Sequence, residues 1–262
     1  MKTRVITAIV ALALFVPIVL FGGILIQIGA IALGIVAMSE VLIMKKKLLV
    51  SPEALLSFLG VTVLIAPTSW FSALPDFLSV NFIFYIIVML LMLRNVITKN
   101  IFSFDDAGVL TIAMLYIGMG FHYFVEARSA GIAVLFYALF IVWITDSGAY
   151  IFGRKLGKNK LAPHVSPNKT WEGSICGSAL AIVVATIWMQ SFEIGNVSLI
   201  IAIIITAVLS IAGQFGDLVE SALKRYYQVK DSGKILPGHG GILDRFDSLL
   251  FVLPLLHLFG II

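Results

Sequence analysis

Apolar runs close to the ~20 residues that carry a helix across a bilayer follow one another along almost the whole chain. They fall at about 5–21, 23–43, 55–71, 77–93, 107–121, 130–146, 174–190, 196–213 and 248–262. A segment in lipid must satisfy its backbone polar groups internally, which a helix does. The expectation is therefore an all-α, polytopic integral membrane protein with about nine transmembrane helices and a polar cavity on the cytoplasmic side. Charged residues are 12% of the chain and hydrophobic ones 60%, against roughly 25% charged in soluble domains. The first run follows Lys2 and Arg4 as a secretory signal would, but it has spanning length and lacks a convincing cleavage site, so it is read as the first membrane helix. Pro17, Pro67 and Pro254 are expected to kink their helices, and 107–121 and 248–262 are the shortest runs. The single cysteine, Cys176, excludes an internal disulfide framework and a cysteine metal cluster.

The positive charges orient the bundle, because Lys and Arg are retained on the cytoplasmic side. With a cytoplasmic N-terminus, 17 of the 18 Lys and Arg fall on that side and Arg128 alone falls outside. The formal charge of +4 is then a matter of topology, and no nucleic-acid partner is implied. Lys45, Lys46 and Lys47 read as an anchor against anionic headgroups. Function separates the chain into 1–125, N-terminal transmembrane helices, and 126–262, a catalytic region. The second part holds two long cytoplasmic segments, about 147–173 and 214–247, where carboxylates and cations occur together.

Residues Ser221 to Asp247 pack five Lys or Arg and three Asp into one stretch that lipid could not hold. Just before and into it, Asp217, Glu220, Ser221 and Lys224 follow i, i+3, i+4, i+7 spacing and share one helical face. A solvated helix end explains that face about as well as a site does. Asp244 and Asp247 head the last apolar run, where carboxylates also serve as N-terminal caps. Between them lies Pro237-Gly238-His239-Gly240-Gly241, whose glycines permit positive φ and close approach to an anion. His239 is read as orienting a phosphate. In the preceding segment Asp146 closes an apolar run, and Lys169 and Glu172 stand at i and i+3, the spacing of a helix-surface ion pair. Carboxylate and hydroxyl oxygens without a His or Cys cluster suit a hard cation such as Mg²⁺.

Ser221, Lys224, Arg225, Lys230, Asp231, Gly233, Pro237, His239, Gly240, Gly241, Asp244, Arg245 and Asp247 together resemble the signature of the phosphatidate cytidylyltransferases, also called CDP-diacylglycerol synthases. The stretches DSGAYIFGRKLGK and SPNKTWEG are similar to that family too, so the likeness is close over about 143–250. It implies transfer of the cytidylyl group of CTP to phosphatidate, giving CDP-diacylglycerol and pyrophosphate, with Mg²⁺ and room for a second cation. It also implies Asp217, Asp244 and Asp247 as metal ligands or their supports, with Asp231 and Asp146 next, and Lys169, Lys224, Arg225, Lys230 and Arg245 on phosphates. Ser221 would be a ligand or hydrogen-bond donor, since the lipid phosphate is itself the nucleophile. The partners are CTP and phosphatidate, a homodimer is the candidate assembly, and a bacterial inner membrane is the expected setting. A CTP-using lipid kinase would need similar groups, and a transporter could also place charges at helix ends.

Overall fold

The computed structural model describes residues 2–75 and 77–262, with side chains described from residue 6 onward. The side chains of Lys2 and Arg4, used above for orientation, thus lie outside the described residues. The helices are α1 (Lys2–Phe21), α2 (Gly23–Met44), α3 (Pro52–Ile65), α4 (Val80–Ile97), α5 (Phe104–Ala130), α6 (Ile132–Leu156), α7 (Trp171–Ser191), α8 (Leu199–Tyr226), a single turn α9 (Leu243–Phe246) and α10 (Leu249–Leu258). Each apolar run has its helix, and the chain is an all-α integral membrane protein whose only strands, among the described residues, are those of one hairpin. Among the described residues six helices, α2 and α4 to α8, are long and apolar enough to cross a bilayer, while 6–21, α3 and α10 are shorter.

The boundaries depart from the expected ones for local reasons. Pro67 does not kink α3 but ends it: the residue before a proline is driven out of the helical region, and Ala66 is extended at φ −60°, ψ 142°. Pro17 and Pro254 do lie inside their helices. The run 107–121, expected to be short, belongs to a helix of 27 residues, because the polar stretch after it, HYFVEARS, keeps helical propensity up to Gly131. The segment 147–173 is not simply a loop. Helix α6 fills it to Leu156, and β1 (Lys160–Ala162) then pairs antiparallel with β2 (Ser166–Thr170).

The chain forms two compact units, residues 1–125 with 231–243, and residues 126–230 with 244–262. In the first, Lys45 and Lys47 both reach Asp106 at 2.7 Å, and Arg94 meets Glu53 at 3.2 Å. Two of the three lysines taken as a headgroup anchor are therefore tied to a carboxylate of α5. Lys46 remains exposed.

In the second unit α6 and α7 touch backbone to backbone. A Cβ at Gly148 would lie 2.9 Å from Gly177 Cα, and one at Gly177 would lie 2.5 Å from Thr145 O. Gly173 meets Ala149 O and Gly153 Cα in the same way. Small residues four apart, as in Gly173 and Gly177, let membrane helices approach this closely. The contact brings hydroxyls together inside the bundle: Thr145 with Ser210 at 2.7 Å, Ser210 with Ser178 at 2.9 Å, and Tyr137 with Thr206 at 2.7 Å. Buried polar groups in lipid need such partners. On α8, Gly216 leaves space for Asp247 O, which a Cβ would approach to 2.6 Å, so the break between α9 and α10 lies directly on this helix.

Candidate active site

In the second unit the unusual residues stand on four elements. Asp146 lies ten residues before the end of α6, not at the helix end, because α6 runs on through the Gly148 and Gly153 contact with α7. Lys169 sits on β2, whose hairpin is closed by Glu172: its carboxylate accepts from Lys158 N at 3.1 Å, Asn159 N at 3.1 Å and Asn159 Nδ2 at 2.7 Å. The Lys169 to Glu172 pair suggested by spacing is therefore not made. Lys169 instead reaches Asp217 on α8 at 2.5 Å. Thr170 caps α7 by accepting from Gly173 N at 3.2 Å, fixing where the strand becomes helix.

The helical face read from spacing is real, and it points into a charge network instead of water. Asp217 accepts from Ser221 Oγ at 3.2 Å as well as from Lys169. About two turns on from Asp217, Lys224 lies between Glu220, whose side chain is fully buried, and Asp244, whose side chain is 6% exposed and 2.7 Å away. Burying carboxylates is tolerable when a cation is shared between them. Glu220 was on the predicted face but absent from the predicted site. Its i, i+4 relation to Lys224 was the available signal.

Asp247 occupies the break between α9 and α10 and accepts from Ser248 N at 2.7 Å. It does not cap α10 by the expected pattern, since that helix begins at Leu249 with Ser248 as its N-terminal neighbour and without a side-chain cap. Burial pushes the Asp247 carboxyl up to about 7, and the negative charges of Asp217 and Asp146 push the same way. Asp146, in turn, feels the charges of Asp217 and Lys169. Asp146, Asp217 and Asp247 thus form one mutually repelling group. A narrow cleft beside Asp146 is lined by Thr145, Ser210, Gln214 and Ser248, and the Ser248 hydroxyl is buried there without a hydrogen-bond partner.

Other predicted residues are held differently. Arg225 donates to Val165 O at 3.3 Å and Val229 O at 3.2 Å, bracing the hairpin turn and the end of α8. Lys230 and Arg245 are exposed.

In the first unit, Asp231, His239, Gly240 and Gly241 belong to one loop, 231–243. Leu236 N donates to Gly240 O at 3.0 Å and His239 N to Leu236 O at 2.8 Å, making a tight turn. Gly238 and Gly240 take φ of 79° and 85°, as expected of a Gly-rich turn. Gly241 is small for a different reason: a Cβ there would collide with Ser232 and with both carboxylate oxygens of Glu40. Nδ1 of His239 is buried without a hydrogen-bond partner. Glu40, an unpredicted carboxylate inside the apolar run of α2, is 2% exposed. The signal for it was available, because an ionisable residue in a membrane segment is seldom incidental.

Among the described residues, no three His, Cys, Asp or Glu groups converge closely enough to hold a metal ion by themselves. Magnesium does not require that: it is commonly held by one or two carboxylates together with substrate phosphates and water. Asp217 and Asp247, whose charges repel, fit such a partial donor set.

A model of the cytidylyltransferase family matches residues 2–262. The chain is 47% identical over 260 residues to a phosphatidate cytidylyltransferase of Bacillus subtilis (strain 168), covering 98% of this chain and 96% of that one. It is 45% identical over 263 residues to a protein of the same name from Staphylococcus haemolyticus, covering 98% of each. A third, from Staphylococcus aureus (strain COL), is 44% identical with the same coverage.

Proposed function

The chain belongs to the cytidylyltransferase family, and we propose that it transfers the cytidylyl group of CTP to phosphatidate, releasing pyrophosphate and forming CDP-diacylglycerol for phospholipid synthesis. The observation that carries this reading is the alternation of cations and carboxylates Lys169–Asp217 and Glu220–Lys224–Asp244 in a chain otherwise built for lipid. Two anionic substrates must meet, and fixed positive charge is what lets them.

An oxygen of the phosphatidate phosphate attacks the α-phosphorus of CTP, and the bond to the β-phosphate breaks, so pyrophosphate leaves with the electron pair. Lys169 and Lys224 offset the charge of the incoming and leaving phosphates, with Lys230 and Arg245 at exposed positions and Arg225 bracing the hairpin. Asp217 and Asp247 would hold Mg²⁺, with Asp146 beside them; Asp244, expected with them as a ligand or support, takes the supporting part, because its carboxylate is engaged by Lys224 at 2.7 Å. Bound there, the cation would neutralise phosphate charge that the lysines leave over. His239, Gly240 and Gly241 orient a phosphate of the nucleotide, with Asp231 at the start of their loop. The helices other than the single turn α9 are all spans in this reading, with the N-terminus and the charged segments cytoplasmic, as the lysine and arginine distribution supports. CTP then arrives from the cytosol and phosphatidate from the leaflet of a bacterial inner membrane.

The decisive experiment gives purified protein CTP, phosphatidate and Mg²⁺. Pyrophosphate should appear together with cytidine-labelled lipid. Release of CDP with phosphorylated lipid would point to a kinase, and movement of an anion into vesicles without nucleotide turnover would point to a transporter. Chelating Mg²⁺ should stop turnover, and excess Mg²⁺ should restore it; full activity in chelator removes the cation from the scheme.

A further inference from the structure

Glu40 lies near the end of α2 with both carboxylate oxygens engaged by one distant loop. Oε1 accepts from Ile242 N at 2.7 Å, and Oε2 accepts from Leu243 N at 2.9 Å and from Ser232 Oγ at 2.7 Å. Ser232 opens loop 231–243 and Ile242 and Leu243 close it, so a single side chain ties the two ends together. All three are buried, at 2%, 9% and 0% exposure. The two glycines just inside these ends make room for the clamp: a Cβ at Gly233 would lie 2.8 Å from Glu40 Oε1, and one at Gly241 would strike both oxygens. Hydrogen bonds to an ionised acceptor are about twice as strong as neutral ones, which offsets keeping this carboxylate out of water.

The outer part of the loop is of opposite character. Asp231, Lys234, Pro237 and Gly238 are exposed, and His239 between Gly238 and Gly240 is half-buried. A loop exposed at its tip and pinned at its root meets a ligand from water with its shape already set, and such pre-organisation lowers the entropy lost on binding.

We propose that Glu40 is a positioning residue for CTP: by joining Ser232 to Ile242 and Leu243 it holds loop 231–243 in the conformation that receives the nucleotide. This rests on the reading that His239, Gly240 and Gly241 contact a nucleotide phosphate. Glu40 itself touches no substrate.

Glu40→Gln in the full-length purified protein is the test, because glutamine keeps the shape but turns one acceptor into a donor facing another donor. KM for CTP should rise about tenfold while kcat at saturating CTP stays within about threefold and KM for phosphatidate is unchanged, the pattern of lost binding and not lost chemistry. Amide hydrogen exchange should increase in peptides covering 231–243 and stay level elsewhere. Ser232→Ala, which removes one donor and leaves the carboxylate its backbone partners, should give a smaller rise in KM for CTP and serves if Glu40→Gln does not accumulate. A fall in kcat with KM for CTP unchanged, or no change in either, overturns the inference. His239→Ala separates it from the reading beneath it. If His239→Ala raises KM for CTP and Glu40→Gln does not, the clamp is wrong. If only Glu40→Gln raises it, the clamp stands and the role of His239 is withdrawn.

Discussion

Asp244→Asn should reduce CTP-dependent formation of CDP-diacylglycerol by roughly 10²–10³-fold, the usual effect of removing one preorganised charge or dipole aimed at a transition state, while the protein still inserts and purifies normally. Asp244 holds the ammonium of Lys224 from one side and Glu220 holds it from the other. Asparagine can still accept from Lys224, so packing survives, but Lys224 loses the charge that fixes its direction. The net charge of the triad falls from −1 to zero, and Glu220 and Lys224 remain an ion pair. Changing Lys224 itself would be a poorer probe, because it would leave two carboxylates buried together, a defect on the order of 3–5 kcal/mol. The readout is turnover per mole of correctly folded protein. Turnover within about threefold of the unaltered enzyme, against the 10²–10³-fold expected, would remove Asp244 from the site.

Gly177→Val should have the largest effect on folding. Its Cβ would meet Thr145 O at 2.5 Å and Ala149 N at 2.7 Å, so the obstruction is backbone and cannot rotate aside. Overpacking typically costs about 1–3 kcal/mol when side chains can adjust, and here α6 and α7 would have to separate. Separation would also pull Thr145 and Ser178 from Ser210, leaving hydroxyls unpaired inside the bundle. Most of the protein should be lost on purification, and the remainder should melt several degrees lower. Gly108→Ala, where nothing lies within 4 Å of the added carbon, is the matched control. Equal Tm for the Gly177 and Gly108 variants would show that the close helix contact is not what supports this unit.

The helices were legible because lipid imposes a length and an apolar composition that any reader of the chain can see, and every apolar run has one. The shared face of Asp217, Glu220, Ser221 and Lys224 was legible for the same reason of periodicity. What spacing could not convey was which partner each charge takes. Lys169 bonds across to Asp217 and not to Glu172 because the β1–β2 hairpin, whose pairing is not written in any local pattern, turns it toward α8. Asp146 looked like a helix end because its apolar run stops there, yet contact with α7 carries α6 ten residues further. Glu40 itself stands out as a carboxylate inside an apolar run, but its partners do not, because they are backbone amides more than 200 residues away, and backbone amides leave no mark on a sequence.

Helix α8 is 28 residues long, about 42 Å at 1.5 Å per residue, which exceeds a hydrocarbon core of about 30 Å. If it enters at Leu199, after its Ser198 cap, it leaves the acyl region near Asp217 and carries Lys224 about 10 Å further out. The helix is therefore a depth gauge. On that path it would set one charge pair where the acyl region ends and the next about 10 Å further out. The distance a lipid phosphate and a soluble nucleotide must close is then fixed by the rise of a single rigid rod, and neither substrate has to leave its own phase.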